Sequence, residues 1–470
     1  MNTPEHLAFN YHADRGTGRP AIEETFATTD AAAEPRDWGY LGLLAFTTVL
    51  LLRPQDRVPA LGPMHVAEIC ALLGIGPMLL HRFARRLPVF RVTPETLGLI
   101  VLGAAILATA PFSIWPGGAV QVFTDSYLKI VIVFVLMMNT LTTTARLERL
   151  TWLILVCTGV IAALAVRDYA SGRNLVEGNR LAGPVGGIFG NPNDLAMNMT
   201  TFLPATIVVA LSARRSPPRR VTAAVIALLM VATIIFTKSR GGLLGLTSAM
   251  LALWLMSGRI RGRLTAMAIA GVLLAGPLIP ASFWARMTTI VNPEEDRQFT
   301  GSREARELVM GDGLNTFLEF PITGVGAGQF KNYNPSDRQA KYLETHNVLL
   351  QVAAELGIVG LLAFVFLLWR AAMAAWTTER LVTDKRWMAL FAQRGKEDDG
   401  RALSEHTIGL TAGLVGWFVC AMFASVAYNW TFYYVLALLV AARELATDQL
   451  RVAIPATLKK IPVRAAALST

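Results

Sequence analysis

Apolar runs that meet or nearly meet the length of a bilayer crossing recur along this 470-residue chain and leave little choice of fold. Crossing about 30 Å of hydrocarbon takes about 20 residues of helix, and in lipid each backbone polar group has to be satisfied within the segment. The runs fall near 39–52, 64–80, 97–115, 127–142, 150–168, 193–212, 221–237, 241–257, 264–281, 347–374, 408–427 and 430–444. Read as one helix, Val221 to Ser257 would be roughly 55 Å long at about 1.5 Å per residue, so a hairpin is expected there, turning at Lys238-Ser239-Arg240. Composition agrees: 53% of residues are hydrophobic, only 16% are charged and the mean hydropathy is +0.46, values that exclude a soluble domain with a hydrated surface. The expected fold is therefore all-α, a polytopic bundle of about twelve transmembrane helices.

Lysine and arginine accumulate in cytoplasmic loops, and here alternate loops hold them: Arg82/Arg85/Arg86/Arg91, Arg146/Arg149, Arg214/Arg215/Arg219/Arg220, Arg259/Arg261/Arg263, Arg380 to Arg401, and Lys459/Lys460/Arg464. Both termini are thereby predicted to be cytoplasmic. The net charge of +10 lies mostly in these loops, facing an anionic leaflet, so no nucleic-acid partner is expected. The division that follows is a disordered cytoplasmic tail over 1–37, spans one to nine over 38–281, a large outer loop over 282–345, the last three spans over 346–446 with a solvated cytoplasmic loop at 375–407, and a tail over 447–470. Residues 1–37 mix both signs and lack the basic-then-apolar layout of a cleavable signal peptide. Cys70, Cys157 and Cys420 lie in separate apolar runs without zinc or disulfide spacing. The Gly324-Val-Gly326-Ala-Gly328 run lacks the strand a dinucleotide fingerprint needs.

The exceptions to the charge pattern carry the chemistry. Lys238 and Arg240 occupy the tight hairpin turn on the predicted outer face, where a charge at membrane level costs about 2.5–3.5 kcal/mol; Arg240 either snorkels to the interface or meets an anion. Arg180 sits in a Gly/Pro-rich outer loop just before Asn191-Pro192-Asn193-Asp194, where Asn193 or Asp194 would cap the next helix beside exposed backbone N–H groups of the kind that hold phosphate. Taken alone it is also a solvated loop arginine. Of six histidines only His65 and His346 fall on the outer side, and His346, two residues after Glu344, is either a helix-start residue or a base. Together, two arginines that grip phosphate and a histidine that accepts a proton near neutral pH suit transfer from a phosphate-activated donor. No metal or other cofactor is expected, because arginine can neutralise a diphosphate leaving group. In the large loop, 302–318 is expected to be a helix with Ala305, Leu308, Val309, Leu314 and Phe317 on one apolar side, ended by Pro321, lying in the interface over a lipid donor or capping the bundle.

Over about 150–375 the chain resembles the O-antigen ligase and polymerase superfamily. The resemblance rests on Arg180 followed by GIFGNPNDLA, the Ser239-Arg240-Gly241 hairpin, the GSREAR…GLNTFLEFPITGVGAGQF loop, and HNVLLQVAAELGIVG at His346 to Gly360. It implies a GT-C-like multispanning glycosyltransferase of the bacterial inner membrane, working on the periplasmic face with an undecaprenyl-diphosphate-linked glycan as donor. It implies that Arg180 and Arg240 bind the donor diphosphate, that His346 is the catalytic residue, and that Arg303 falls on another recurrent position, with Lys238, Glu344, Asn191 and Arg306 as secondary candidates. The acceptor within the superfamily is lipid A–core for a ligase, another lipid-linked repeat for a polymerase, or a protein hydroxyl. The absence of an obvious extra C-terminal periplasmic domain favours the ligase. A polytopic transporter binding an anionic substrate is the alternative from another class.

Overall fold

The computed structural model describes residues 37–453 apart from 57, 178, 259, 293–301, 340–341 and 394; of the expected tail over 1–37 only Asp37, the N-cap of the first helix, is described, and residues 1–36 and 454–470 lie outside the described residues. Sixteen helices follow one another among them: α1 (Trp38–Leu52), α2 (Val66–Ala84), α3 (Pro94–Thr109), α4 (Pro116–Val122), α5 (Leu128–Thr140), α6 (Thr144–Ala170), α7 (Pro192–Leu211), α8 (Pro217–Thr237), α9 (Arg240–Met256), α10 (Arg261–Ala275), α11 (Ala281–Thr288), α12 (Ser302–Glu319), α13 (Val348–Thr383), α14 (Lys385–Gln393), α15 (Glu397–Ala421) and α16 (Trp430–Ala453). The described residues hold one small sheet, a two-stranded antiparallel ribbon of β1 (Leu175–Val176) and β2 (Arg180–Leu181) in register Val176 to Arg180.

Every expected apolar run falls on a helix; among the described residues seven stretches are long and apolar enough to cross a membrane by length and composition, Ala60–Ala84, Pro94–Phe112, Pro116–Thr140, Thr144–Ala170, Pro192–Leu211, Pro217–Thr237 and Val348–Thr383, so the expected count of twelve is not confirmed. The chain is thus a helical membrane protein. Helices α1, α9 and α10 fall short at 15, 17 and 15 residues, while polar side chains dilute α15 and α16. The dilution in α16 has a structural reason: from Thr431 to Arg443 it is buried in protein along its whole length, so its surroundings are other helices and not lipid. Helix α15 packs on α7 and α9 through small residues, as membrane helices do where backbones must approach closely; a side chain at Gly413 would run into the carbonyl of Thr201.

The segment 375–407, expected as a solvated loop, is a correction: α13 continues to Thr383, α14 follows, and α15 begins at Glu397. Ala375, Thr378, Leu381 and Val382 on this stretch are buried, which extends the apolar periodicity beyond the span itself. Some 24 residues after His346, roughly 35 Å further along the helix, Arg370 meets a buried ion network. Glu95 of α3, fully buried, accepts bonds from Arg443 at 2.7 and 3.0 Å and from Arg370 at 2.7 Å. Because the carboxylate offsets two buried guanidinium groups, Glu95→Gln is expected to lower stability by about 3 kcal/mol. Thermal unfolding in detergent checks this, and an unchanged midpoint would remove the network from the account of the fold.

Helix α13 is interrupted at Gly357, whose φ of 64° and ψ of −162° lie outside helical space and in a region glycine alone occupies readily. A break inside a membrane helix leaves backbone groups that need partners. The glycine-rich run supplies them: Val325 N–H donates to Ala354 O (3.0 Å), Gly326 N–H to Glu355 O (2.9 Å) and Gly328 N–H to the Glu355 carboxylate (2.8 Å), while Ile358 N–H donates to Pro321 O (2.8 Å). The glycines that do not form a nucleotide fingerprint instead patch this helix break.

Candidate active site

The hairpin expected at Lys238-Ser239-Arg240 is present. Lys238 ends α8 in the left-handed conformation (φ 48°), and Ser239 caps α9, its side chain accepting from Gly242 N–H at 3.1 Å. The cap of α7 differs from expectation: Asn191, not Asn193 or Asp194, is the N-cap, accepting from the N–H groups of both Asn193 and Asp194 at 2.9 Å. This leaves the Asn193 side chain for another task. Its Oδ1 accepts from Arg180 Nη2 (2.8 Å) and from Ser239 Oγ (2.8 Å), while Arg180 Nε donates to Thr237 O (3.1 Å). The ribbon carrying Arg180 is thereby fastened to the hairpin carrying Arg240, and Arg240 Nη1 donates to Thr289 Oγ1 at 3.0 Å, just after α11.

Two further arginines join them. A cleft beside the hairpin is lined by Asn193, Ser239, Arg240, Arg286 of α11, Arg306 of α12 and Phe423. Burial, and then the charges of Arg286, Arg306 and Arg240, bring the Arg180 pKa down to about 10. It stays charged at neutral pH. Lys238, also buried, is lowered by its desolvation and by Arg286 and Arg180. Five cations thus share one neighbourhood in which Glu177 is the carboxylate acting on Arg180; an incoming polyanion would relieve this repulsion.

His346 lies within electrostatic reach of Arg306, one of the arginines lining this cleft. Its backbone is left-handed (φ 50°), an uncommon state for a non-glycine residue, and it is held there from both sides. Its N–H donates to Ser425 Oγ (3.0 Å), which also contacts Thr345 Oγ1 (3.0 Å), and Asn347 caps α13 by accepting from Leu349 and Leu350 N–H. Arg338, buried among carbonyls of Phe330 and Leu343 (2.6 and 2.9 Å), fastens the loop that leads to it. Burial and then the nearby Arg306 charge hold the His346 imidazole below its usual pKa, so it is neutral at pH 7 and able to accept a proton.

Residues 225–365, from within α8 to within α13, match the family model described as O-Antigen ligase. Over this stretch the chain is similar to the O-antigen ligase family. No curated protein matches the chain. The O-antigen ligase match implies a membrane glycosyltransferase-like activity with a lipid-linked glycan and an acceptor as its partners in general terms. It spans Lys238, Arg240, Arg303, Arg306, Glu344 and His346, whereas Arg180 and Asn191 lie before it.

Of the expected site residues, Arg180, Lys238, Arg240, Arg306 and His346 are brought within electrostatic reach of one another or of a shared neighbour. Glu344 is exposed, and Arg303 lies in the first turn of α12 with its side chain outside the described residues. Arg286 is the residue that sequence reasoning passed over. Its signal was available: like Arg240, it is a basic residue on the side of the bundle where few were expected. The apolar side expected on α12 is split, since Val309, Gly313 and Thr316 face inward, with Gly313 against Leu350, while Leu308 and Leu314 are exposed at 40% and 51%. The helix therefore both covers the bundle and keeps an apolar outer face.

Proposed function

We propose that this protein is an O-antigen ligase-type glycosyltransferase that moves a glycan from undecaprenyl diphosphate to lipid A–core on the periplasmic face of the inner membrane. The observation that carries the reading is a cleft lined by Arg240, Arg286 and Arg306, with Arg180 and Lys238 within electrostatic reach of these arginines and a neutral histidine coupled to Arg306. The diphosphate sits among Arg180, Arg240, Arg286 and Arg306, whose guanidinium groups take up its charge without a metal ion. His346 accepts the proton of an acceptor hydroxyl, the hydroxyl oxygen forms a bond to the anomeric carbon, and the bond from that carbon to the diphosphate breaks with its electron pair leaving on the phosphate oxygen. A single displacement inverts the anomeric configuration. Retention in the product would point to a covalent intermediate and overturn this step.

The deciding experiment supplies the purified protein in nanodiscs with an undecaprenyl-diphosphate-linked glycan and, separately, lipid A–core, a second lipid-linked repeat, or a serine-containing peptide. Transfer to lipid A–core supports the ligase; extension of the repeat makes the protein a polymerase, and glycosylation of the peptide makes it a protein oligosaccharyltransferase. With none of these, the arginine cleft is a binding site of a transporter.

A pH consequence follows from the imidazole. A base is active in its neutral form, so the acidic limb of the rate profile should lie below the ordinary histidine value near 6.5, with activity lost only as pH falls through the lowered value. Removing a cation that opposes protonation raises that value, so Arg306→Gln should shift the limb upward. A limb that stays in place would detach Arg306 from His346.

A further inference from the structure

A second cavity, which shares a chain segment with the arginine cleft, has different chemistry. It measures about 370 Å³; an apolar wall that includes Phe46, Leu50 and Val133 faces a polar and aromatic one that includes Gln55, Asp125, Ser126, Asn429, Trp430 and Tyr434. Its cations are matched, Lys129 Nζ lying 2.7 Å from Glu68 and Arg53 Nε 2.8 Å from Asp56, so it has no counterpart of the positive excess that suits a diphosphate. Trp430 and Tyr434 pack edge to face with centroids 5.0 Å apart. A single π-helical turn at Phe123–Tyr127, a feature that recurs at functional sites, brings Asp125 and Ser126 to the wall. The side-chain oxygen of Gln55 is closed off from solvent and has no hydrogen-bond partner among the described residues, an orphaned acceptor that costs free energy until a donor arrives. Aromatic surface beside amide, hydroxyl and carboxylate groups, with paired cations, fits a polyhydroxylated, largely uncharged ligand.

The cavity and the arginine cleft share the segment that joins α15 to α16. Phe423 and Ala424 line the cleft, Tyr428, Asn429 and Trp430 line the cavity, and Ser425 between them holds the His346 backbone. Gln351 accepts from Ala427 N–H at 3.0 Å, fixing the segment to α13. On a second side, Gly186 N–H donates to Asp56 at 2.8 Å, joining the loop after Arg180 to the arginine-bearing rim of the cavity. The His346 backbone is therefore anchored to a segment whose two ends line the cleft and the cavity.

We infer that this cavity binds the sugar of the acceptor, presenting its hydroxyl to His346 from the side opposite the diphosphate; the inference rests on the transferase reading above. The test uses the full chain in nanodiscs with Gln55→Leu and Asp125→Ala, reading transfer to lipid A–core at varied acceptor concentration and, separately, the binding of undecaprenyl diphosphate alone. Each variant should raise the acceptor KM about tenfold, the loss of one good hydrogen bond, with kcat and undecaprenyl diphosphate affinity unchanged. Wild-type acceptor KM in both variants overturns the acceptor cavity and leaves the transferase standing. Loss of undecaprenyl diphosphate binding in both assigns the cavity to the donor or the fold and overturns it as well. A wild-type protein that transfers to no acceptor overturns the transferase, and the acceptor cavity with it.

Discussion

His346→Ala is expected to reduce glycan transfer by about 10²–10⁴-fold, the usual contribution of a positioned general base, while undecaprenyl diphosphate still binds. The separation follows from the geometry: the cations that would hold the diphosphate come from β2, the α8–α9 hairpin, α11 and α12, and none depends on the imidazole. One complication is the left-handed backbone at 346 (φ 50°), which costs an alanine about 1–2 kcal/mol. Asparagine tolerates that conformation well, so His346→Asn keeps the turn while removing the base. Both variants should lose turnover alike. If asparagine restores transfer, His346 is there for its backbone, and if binding and transfer vanish together its role is in folding.

Arg240→Lys is expected to lower transfer by about 10²–10³-fold although the charge is kept, on the scale of deleting one donor aimed at developing negative charge. Arginine offers a planar fork with several donors, and Arg240, which lines the cleft, is oriented there by its 3.0 Å bond to Thr289. Lysine cannot bridge two acceptors in fixed geometry. Transfer measured at saturating donor separates lost chemistry from lost affinity. Near-normal turnover in the lysine variant would reduce Arg240 to an interfacial residue.

Much of this was legible in the chain because the bilayer imposes a simple code. Each apolar run became a helix, and the Lys238–Arg240 hairpin was fixed by length alone, since a straight helix of that extent does not fit a membrane. Arg180 and Arg240 were visible as cations on the side predicted to lack them. The same signal at Arg286 was overlooked because it lies in a short, ordinary-looking stretch, and only tertiary packing brings α11 to the hairpin. The helix cap moved from Asn193 to Asn191 because several residues of an Asn-Pro-Asn-Asp run satisfy the local rule, and the choice depends on Asn193 being needed by Arg180. The helical character of 375–407 was hidden by its many charges, some exposed as at Lys385 and Arg386 and some bonded within the protein as at Glu379 and Glu405, while Thr378 and Leu381 face the bundle. The expected span count is not confirmed where helices are surrounded by protein: α16 does not have to be lipid-like when its neighbours are other helices.

The patched break in α13 changes what kind of object the segment between α10 and α13 is. By sequence it is one long excursion, yet residues 321–328 are hydrogen-bonded into the helix it precedes. In polymer terms it is two smaller rings sharing a pinned point, and the closure entropy of each depends on its own length. Lengthening the stretch before Pro321 enlarges only the first ring and leaves the path from Gly328 to His346 at its original span.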